Sequence, residues 1–137
     1  MATKQLKKPL KKTTPAKTKK ASSRTTKKAS ITELMLCHLS GFAMYMFPLG
    51  NLIVPFLIWQ LKKGDIPALE EHGREVLNFQ ITYTIYALLA LILVFLLIGL
   101  PLILVLTVAH AVLIIRGSLQ ASEGKLYRYP FTIRFLK

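Results

Sequence analysis

Two helical hairpins in a membrane, behind a disordered basic tail, are what this sequence predicts. The fold class is all-α: a polytopic membrane protein of four transmembrane or partly re-entrant helices. Three observations point there. The 137 residues are 53% hydrophobic and yet carry a net charge of +13, with a mean hydropathy of +0.45. The charge is segregated: residues 1–30 hold ten Lys, one Arg and no acid, whereas 31–137 hold eight basic and six acidic residues. Finally, Val76–Ile115 contains no Asp, Glu, Lys or Arg. As helix, these forty residues would measure about 60 Å, against a hydrocarbon core of about 30 Å. They must therefore fold back as two helices.

The tail, residues 1–30, contains Lys, Thr, Ser, Ala and Pro with no aromatic residue. Such a segment cannot bury enough apolar surface to offset its ordering entropy, and disorder is expected. It lacks the apolar core and small-residue cleavage site of a secretory signal, and its Lys-rich composition departs from Arg-rich organelle transit peptides. Lys7, Lys8, Lys11, Lys12, Lys19, Lys20, Lys27 and Lys28 are placed to meet anionic lipid headgroups, each contributing about 1 kcal/mol near the surface. Nucleic acid is the rival partner through counterion release. No aromatic residue is interleaved for base stacking, so lipid is the preferred reading.

The body, residues 31–137, begins with an apolar stretch to Leu61 broken at Gly41, Pro48, Gly50, Asn51 and Pro55. Pro and Gly predict a bend at 47–51, with Asn51 capping the next helix. Charge decides between one kinked span and a hairpin. The tail, Lys62, Lys63, Arg74, Arg116, Lys125, Arg128, Arg134 and Lys137 carry the positive charge, while 47–51 and 98–101 carry none. Two hairpins put every positive cluster on one side, as the positive-inside rule demands. Both termini are then expected to be cytoplasmic. The arms of the first hairpin are short, so it either re-enters or sits in thinned bilayer. The second hairpin should turn near Gly99 and Pro101. Gly64–Pro67 predicts a turn, Glu70 and Glu71 suit a helix start, and Gly124 suits a cap after a helix ending near Ser122. Beyond it Tyr127, Tyr129, Phe131, Ile133 and Phe135 alternate with Arg128, Pro130, Thr132 and Arg134, the pattern of an extended strip at headgroup level.

On the third helix Glu71, Glu75, Asn78 and Thr82 are spaced 4, 3 and 4, with Tyr86 continuing the face. Thr107 and His110 lie on the fourth helix. These seven residues form a candidate polar seam bonding helix to helix, or else a substrate path, because polar groups in lipid face protein or a watery cavity. If the turn lies at Gly99–Pro101, His110 is level with Ala90 and should bond Tyr86 or Tyr45 rather than Asn78. His38, His72, His110 and Cys37 have no metal-ligand spacing. No Ser/His/Asp set, phosphate-cradling glycine loop or paired intramembrane carboxylate is present. Neither an enzyme nor a cofactor site is expected.

Several strings resemble a domain-of-unknown-function family of small bacterial membrane proteins. They are His38-Leu39-Ser40-Gly41-Phe42, Pro48-Leu49-Gly50-Asn51, Glu71-His72-Gly73-Arg74-Glu75, Leu77-Asn78-Phe79-Gln80 and Tyr127 through Phe135. That family is distantly similar to the twenty-kilodalton subunit of the chloroplast inner-envelope protein translocon. The resemblance covers about residues 32–137 and implies four membrane helices in a bacterial inner membrane. It brings no catalytic residue. The expected function is a non-catalytic membrane scaffold or a component of a larger assembly, translocation-like by remote analogy, with lipid, protein partners or further copies of the chain as partners. The alternatives are a small transporter or channel with a polar path between helices three and four, and a polybasic tether for nucleic acid.

Overall fold

The computed structural model describes residues 30–137. The tail lysines singled out above, Lys7 through Lys28, lie outside the described residues. Four helices follow one another, with no strand among the described residues. Helix α1 covers residues 30–39 and runs into a 3-10 turn, Ser40–Tyr45. Helix α2 is Gly50–Lys62, α3 is Ala68–Ile92 and α4 is Gly99–Ser122. Residues 125–129 and 132–137 have no regular secondary structure and flank a turn at Pro130–Phe131.

The first bend falls at 46–49, as its Pro and Gly predict. Leu49 takes the left-handed conformation there (φ 63°). The neighbouring glycine serves a different need: a β-carbon on Gly50 would stand 2.4 Å from the Ala43 carbonyl oxygen, so only glycine lets the arms cross this closely. Asn51 does not cap α2. It lies one residue inside the helix, is buried, and reaches across to α3.

The second turn comes earlier than Gly99–Pro101. Helix α3 tightens into a 3-10 turn, Leu93–Leu96, and Leu97 reverses the chain at φ 60°. Gly99 and Pro101 belong to the first turn of α4. Pro101 costs nothing there, because the first four helical amides have no intrahelical partner. Gly99 packs against the end of α3, where a β-carbon would meet the Ala90 carbonyl at 2.3 Å. At the far end α4 stops as predicted: Ser122 is its last residue and Gly124 takes φ 72°, its amide bonded to the Ala121 carbonyl at 2.9 Å.

The N-terminal half of α3 is the axis of the molecule. Leu69, His72, Gly73, Glu75 through Gln80, Thr82 and Tyr83 are all buried. Around them pack Leu34 and Cys37 of α1, Ile114 and Ala121 of α4, and Tyr129 of the C-terminal strip. Trp59 closes the α2 side, so near Gly73 that a β-carbon there would lie 2.3 Å from its ring. Within a bilayer such a core is held by close packing and interhelical hydrogen bonds, since lipid tails are as apolar as Leu.

Beyond Thr84 the picture inverts. Leu88, Leu91, Phe95, Leu97, Leu100 and Leu104 are exposed, Phe95 by 92%. The segments Ala68–Leu96 and Gly99–Ser122 are long and apolar enough to cross a membrane, and only 28% and 22% of their most apolar windows are buried. A core helix of a soluble protein would hide such residues; these present them outward, as lipid requires.

Candidate functional site

The polar face of α3 is filled by the protein's own C-terminal strip. Glu75 Oε1 accepts the Tyr129 amide at 2.9 Å. Thr82 Oγ1 accepts the Ile133 amide at 3.0 Å, and the Tyr86 hydroxyl donates to the Phe131 carbonyl at 3.0 Å. Asn78 makes three bonds: its Oδ1 accepts the amides of Phe135 and Leu136 at 2.9 and 2.7 Å, and its Nδ2 donates to the Leu136 carbonyl at 2.9 Å. Arg74 donates to the Lys137 carbonyl at 2.6 Å while gripping Glu70 through two nitrogens. Arg134 returns to Glu75 at 3.3 Å. Most of these partners are main-chain groups. In lipid an unpaired amide or carbonyl costs several kcal/mol, so strip and stripe neutralise each other's cost.

Of the seven predicted seam residues, the structure thus gathers Glu75, Asn78, Thr82 and Tyr86 under the strip. Glu71 is exposed and takes no part. Thr107 donates to the Ile103 carbonyl of its own helix at 2.8 Å. With Asn51, Tyr83 and Thr84 it lines a cleft of about 310 Å³ beside the first bend. The alternating aromatics do not share one face. The chain turns at Phe131 (φ 56°), which leaves its ring 89% exposed while Tyr129 is 3% exposed.

His110 belongs to a second, inner network. Its Nε2 lies 2.9 Å from Gln80 Oε1, its Nδ1 lies 3.4 Å from the Tyr45 hydroxyl, and its ring stacks on Tyr83 at 3.9 Å. Asn51 Nδ2 donates to both Gln80 Oε1 (3.2 Å) and Thr84 Oγ1 (3.1 Å). Tyr45 was expected as a partner; Tyr86 was the other expectation and is occupied by the strip. The apex explains the difference. His110 lies thirteen positions after Leu97, and thirteen positions before Val94 is Ile81, next to Gln80. Gln80 Nε2 has no hydrogen-bond partner among the described residues. It points at Gly41, where a β-carbon would stand 2.0 Å away.

A third group joins residues the sequence scatters. His38 Nε2 and His72 Nδ1 share a hydrogen bond at 3.0 Å, and His38 Nδ1 and the Tyr129 hydroxyl share another at 2.7 Å. Tyr129 also stacks face to face on Phe79, centroids 4.1 Å apart. Burial pushes the Tyr129 hydroxyl well above its ordinary pKa, and Cys37, Tyr127 and Glu75 add to the rise. His38 and His72 are 34 positions apart, and neither spacing nor periodicity links them. Among the described residues no three of His, Cys, Asp or Glu are grouped to hold a metal ion.

Charge is sorted by level. Glu33 pairs with Lys62 across α1 and α2, and Lys63 lies over the Trp59 ring at 4.6 Å. Trp59 Nε1 donates to Glu70 at 3.0 Å. With Arg74–Glu70, Arg134–Glu75 and Lys125–Glu123, these pairs all lie at the end of the bundle where α1 begins and α2 and α4 finish.

Compared with known families, residues 30–136 match the magnetosome magnetite crystal formation protein family, and the chain belongs to that family. The expected kinship with small membrane proteins stands in this coarser form; the match gives no support to the translocon likeness. Neither a curated protein nor a solved structure matches the chain.

Proposed function

We propose that this member of the magnetite crystal formation family is a non-catalytic structural component of the membrane in which the crystal grows, acting as a scaffold rather than as a pump or an enzyme. One observation carries the reading. The polar stripe that could have lined a path is consumed by the strip, through Glu75, Asn78, Thr82 and Tyr86. The inner network is likewise closed on itself, with Gln80, Asn51, Tyr45 and His110 bonded to one another. Solutes crossing a membrane need exchangeable polar partners, and all of these groups except Gln80 Nε2 are already paired. The exposed apolar faces of α3 and α4 supply the membrane anchor. The basic tail would hold the charged end against anionic headgroups on the cytoplasmic side, with both termini there. The translocation-like role gains nothing from the family match.

The test has two arms. In a magnetite-forming cell, deletion of the gene should change crystal size or number, and a His110→Phe copy should restore it. Purified protein in vesicles should pass no more iron(II) than protein-free vesicles. An iron flux that His110→Phe abolishes would overturn the scaffold in favour of the transporter.

A further inference from the structure

The two short walls of the bundle stop before its tip. The first hairpin runs past the Asn51–Thr84 contact to a bend whose Pro48 and Leu49 line a cleft with Leu88 and Leu91, and the C-terminal strip turns where Phe131 meets Tyr86. Thr84 and Tyr86 are neighbours on α3. Past the bend α3 and α4 continue alone, and the 3-10 turn at their tip packs on those two helices. The twenty residues 87–106 contain no polar side chain. From Lys62 to Gly50 is twelve residues, about 18 Å, whereas Arg74 to Ile92 is eighteen, about 27 Å. Against a hydrocarbon core of about 30 Å, the second hairpin reaches the far boundary and the first turns back inside.

We propose that the protein is a wedge in the bilayer: four helices and a strip in the leaflet at its charged end, two helices in the other. With helices about 10 Å across, the near leaflet carries roughly twice the protein cross-section of the far one. An inclusion wider on one side is accommodated best where that leaflet is convex. By the positive-inside rule the charged end faces the cytoplasm, so the chain favours membrane bulging toward the cytoplasm, as the outer leaflet of a small closed compartment does. The ligand is the curved lipid surface itself, and no lipid of particular headgroup is required. The first hairpin can end in lipid because its turn satisfies itself: the amides of Met46 and Phe47 both bond to the Ala43 carbonyl at 3.1 Å, and that of Gly50 to Phe47 at 3.1 Å.

The inference rests on the membrane reading above, and two measurements separate them. Full-length protein is reconstituted in vesicles of phosphatidylcholine and phosphatidylglycerol, about 15 and about 100 nm in radius, and copies with trypsin-accessible tails are counted per unit lipid area. The wedge predicts a several-fold higher density on the small vesicles that persists at 0.5 M salt, where the tail's electrostatic attraction is screened. Equal densities, or a preference that salt removes, overturn it. Spin labels at single cysteines replacing Phe47 or Phe95, in a Cys37→Ala background, report depth. Residue 47 should lie in hydrocarbon and residue 95 at the far boundary. A label at 47 in water on the far side means the first hairpin spans and there is no wedge. Buffer exposure of both labels would instead sink the membrane reading itself.

Discussion

Gly117 lies directly beneath the Tyr129–His38 hydrogen bond: a β-carbon there would stand 2.4 Å from the Tyr129 hydroxyl oxygen and 2.7 Å from His38 Nδ1. One hydrogen atom on α4 is thus the condition for the strip to seat Tyr129 against α1 and α3. Gly117→Ala cannot be absorbed by a small shift, because the ring is also held by stacking on Phe79. Overpacking of this kind costs about 1–3 kcal/mol. The expected outcome is a dislodged strip with the helices intact, read as faster trypsin cleavage after Arg128 in mild detergent and unchanged helical circular dichroism. Unchanged cleavage would mean that Tyr129 does not anchor the strip.

Asn78 is the strongest single clamp on the strip. Replacing it with Leu leaves the Phe135 and Leu136 amides and the Leu136 carbonyl without their partner. Losing bonds to buried polar groups costs about 1–3 kcal/mol. A fall in thermal midpoint of several degrees is expected, with the same trypsin-sensitive phenotype as Gly117→Ala. The two substitutions act through one contact surface, so their effects should be less than additive. Full additivity would place them in separate structures.

The helices, the break at Pro48–Gly50 and the end of α4 at Ser122–Gly124 were legible because each leaves a side-chain signature of length, turn chemistry or capping. The polar stripe on α3 was legible as a face, but its partner was not. Asn78, Thr82, Glu75 and Tyr86 bond mainly to main-chain amides and carbonyls, which all residues but proline carry, so the strip's sequence holds no complementary pattern. Its alternation suggested a flat ribbon; the positive φ at Phe131, a residue with no glycine-like signal, folds it instead. The second apex was misplaced for a related reason. Gly99 and Pro101 read as turn residues, yet Gly99 provides close approach to Ala90 and Pro101 tolerates a first helical turn, while Leu97 does the reversing. His38, His72 and Tyr129 meet only through tertiary packing.

His110 distinguishes a structural network from a relay. His110→Phe keeps an aromatic ring over Tyr83 and removes the bonds to Gln80 and Tyr45. Gln80 Oε1 keeps Asn51 as donor, which limits the loss. Hydrogen bonds of this kind between membrane helices average about 0.6 kcal/mol. The thermal midpoint should drop by only a degree or two, and crystal formation in a complemented deletion strain should be unaffected. Loss of function at unchanged stability would assign His110 to a path.

Alkaline pH should release the strip before it unfolds the helices. The Tyr129 hydroxyl sits in a buried site beside Cys37, Tyr127 and Glu75, and burial foremost holds its pKa well above the ordinary value of 10.0. An undocked strip exposes that hydroxyl to water, where it ionises near about 10. Since the docked form has the higher pKa, docking is fully supported below pH of about 10 and weakens progressively above it, as the undocked state is drawn off as tyrosinate. Trypsin susceptibility at Arg128, followed by brief pulses between pH 8 and 11, should therefore rise above pH 10 in the native chain. Tyr129→Phe keeps the stacking on Phe79, gives up the bond to His38, and has nothing to ionise. Its cleavage should start from a higher baseline and stay comparatively flat across the same range. If the substituted chain rises as steeply as the native one, another group drives the release and Tyr129 is not the linked site.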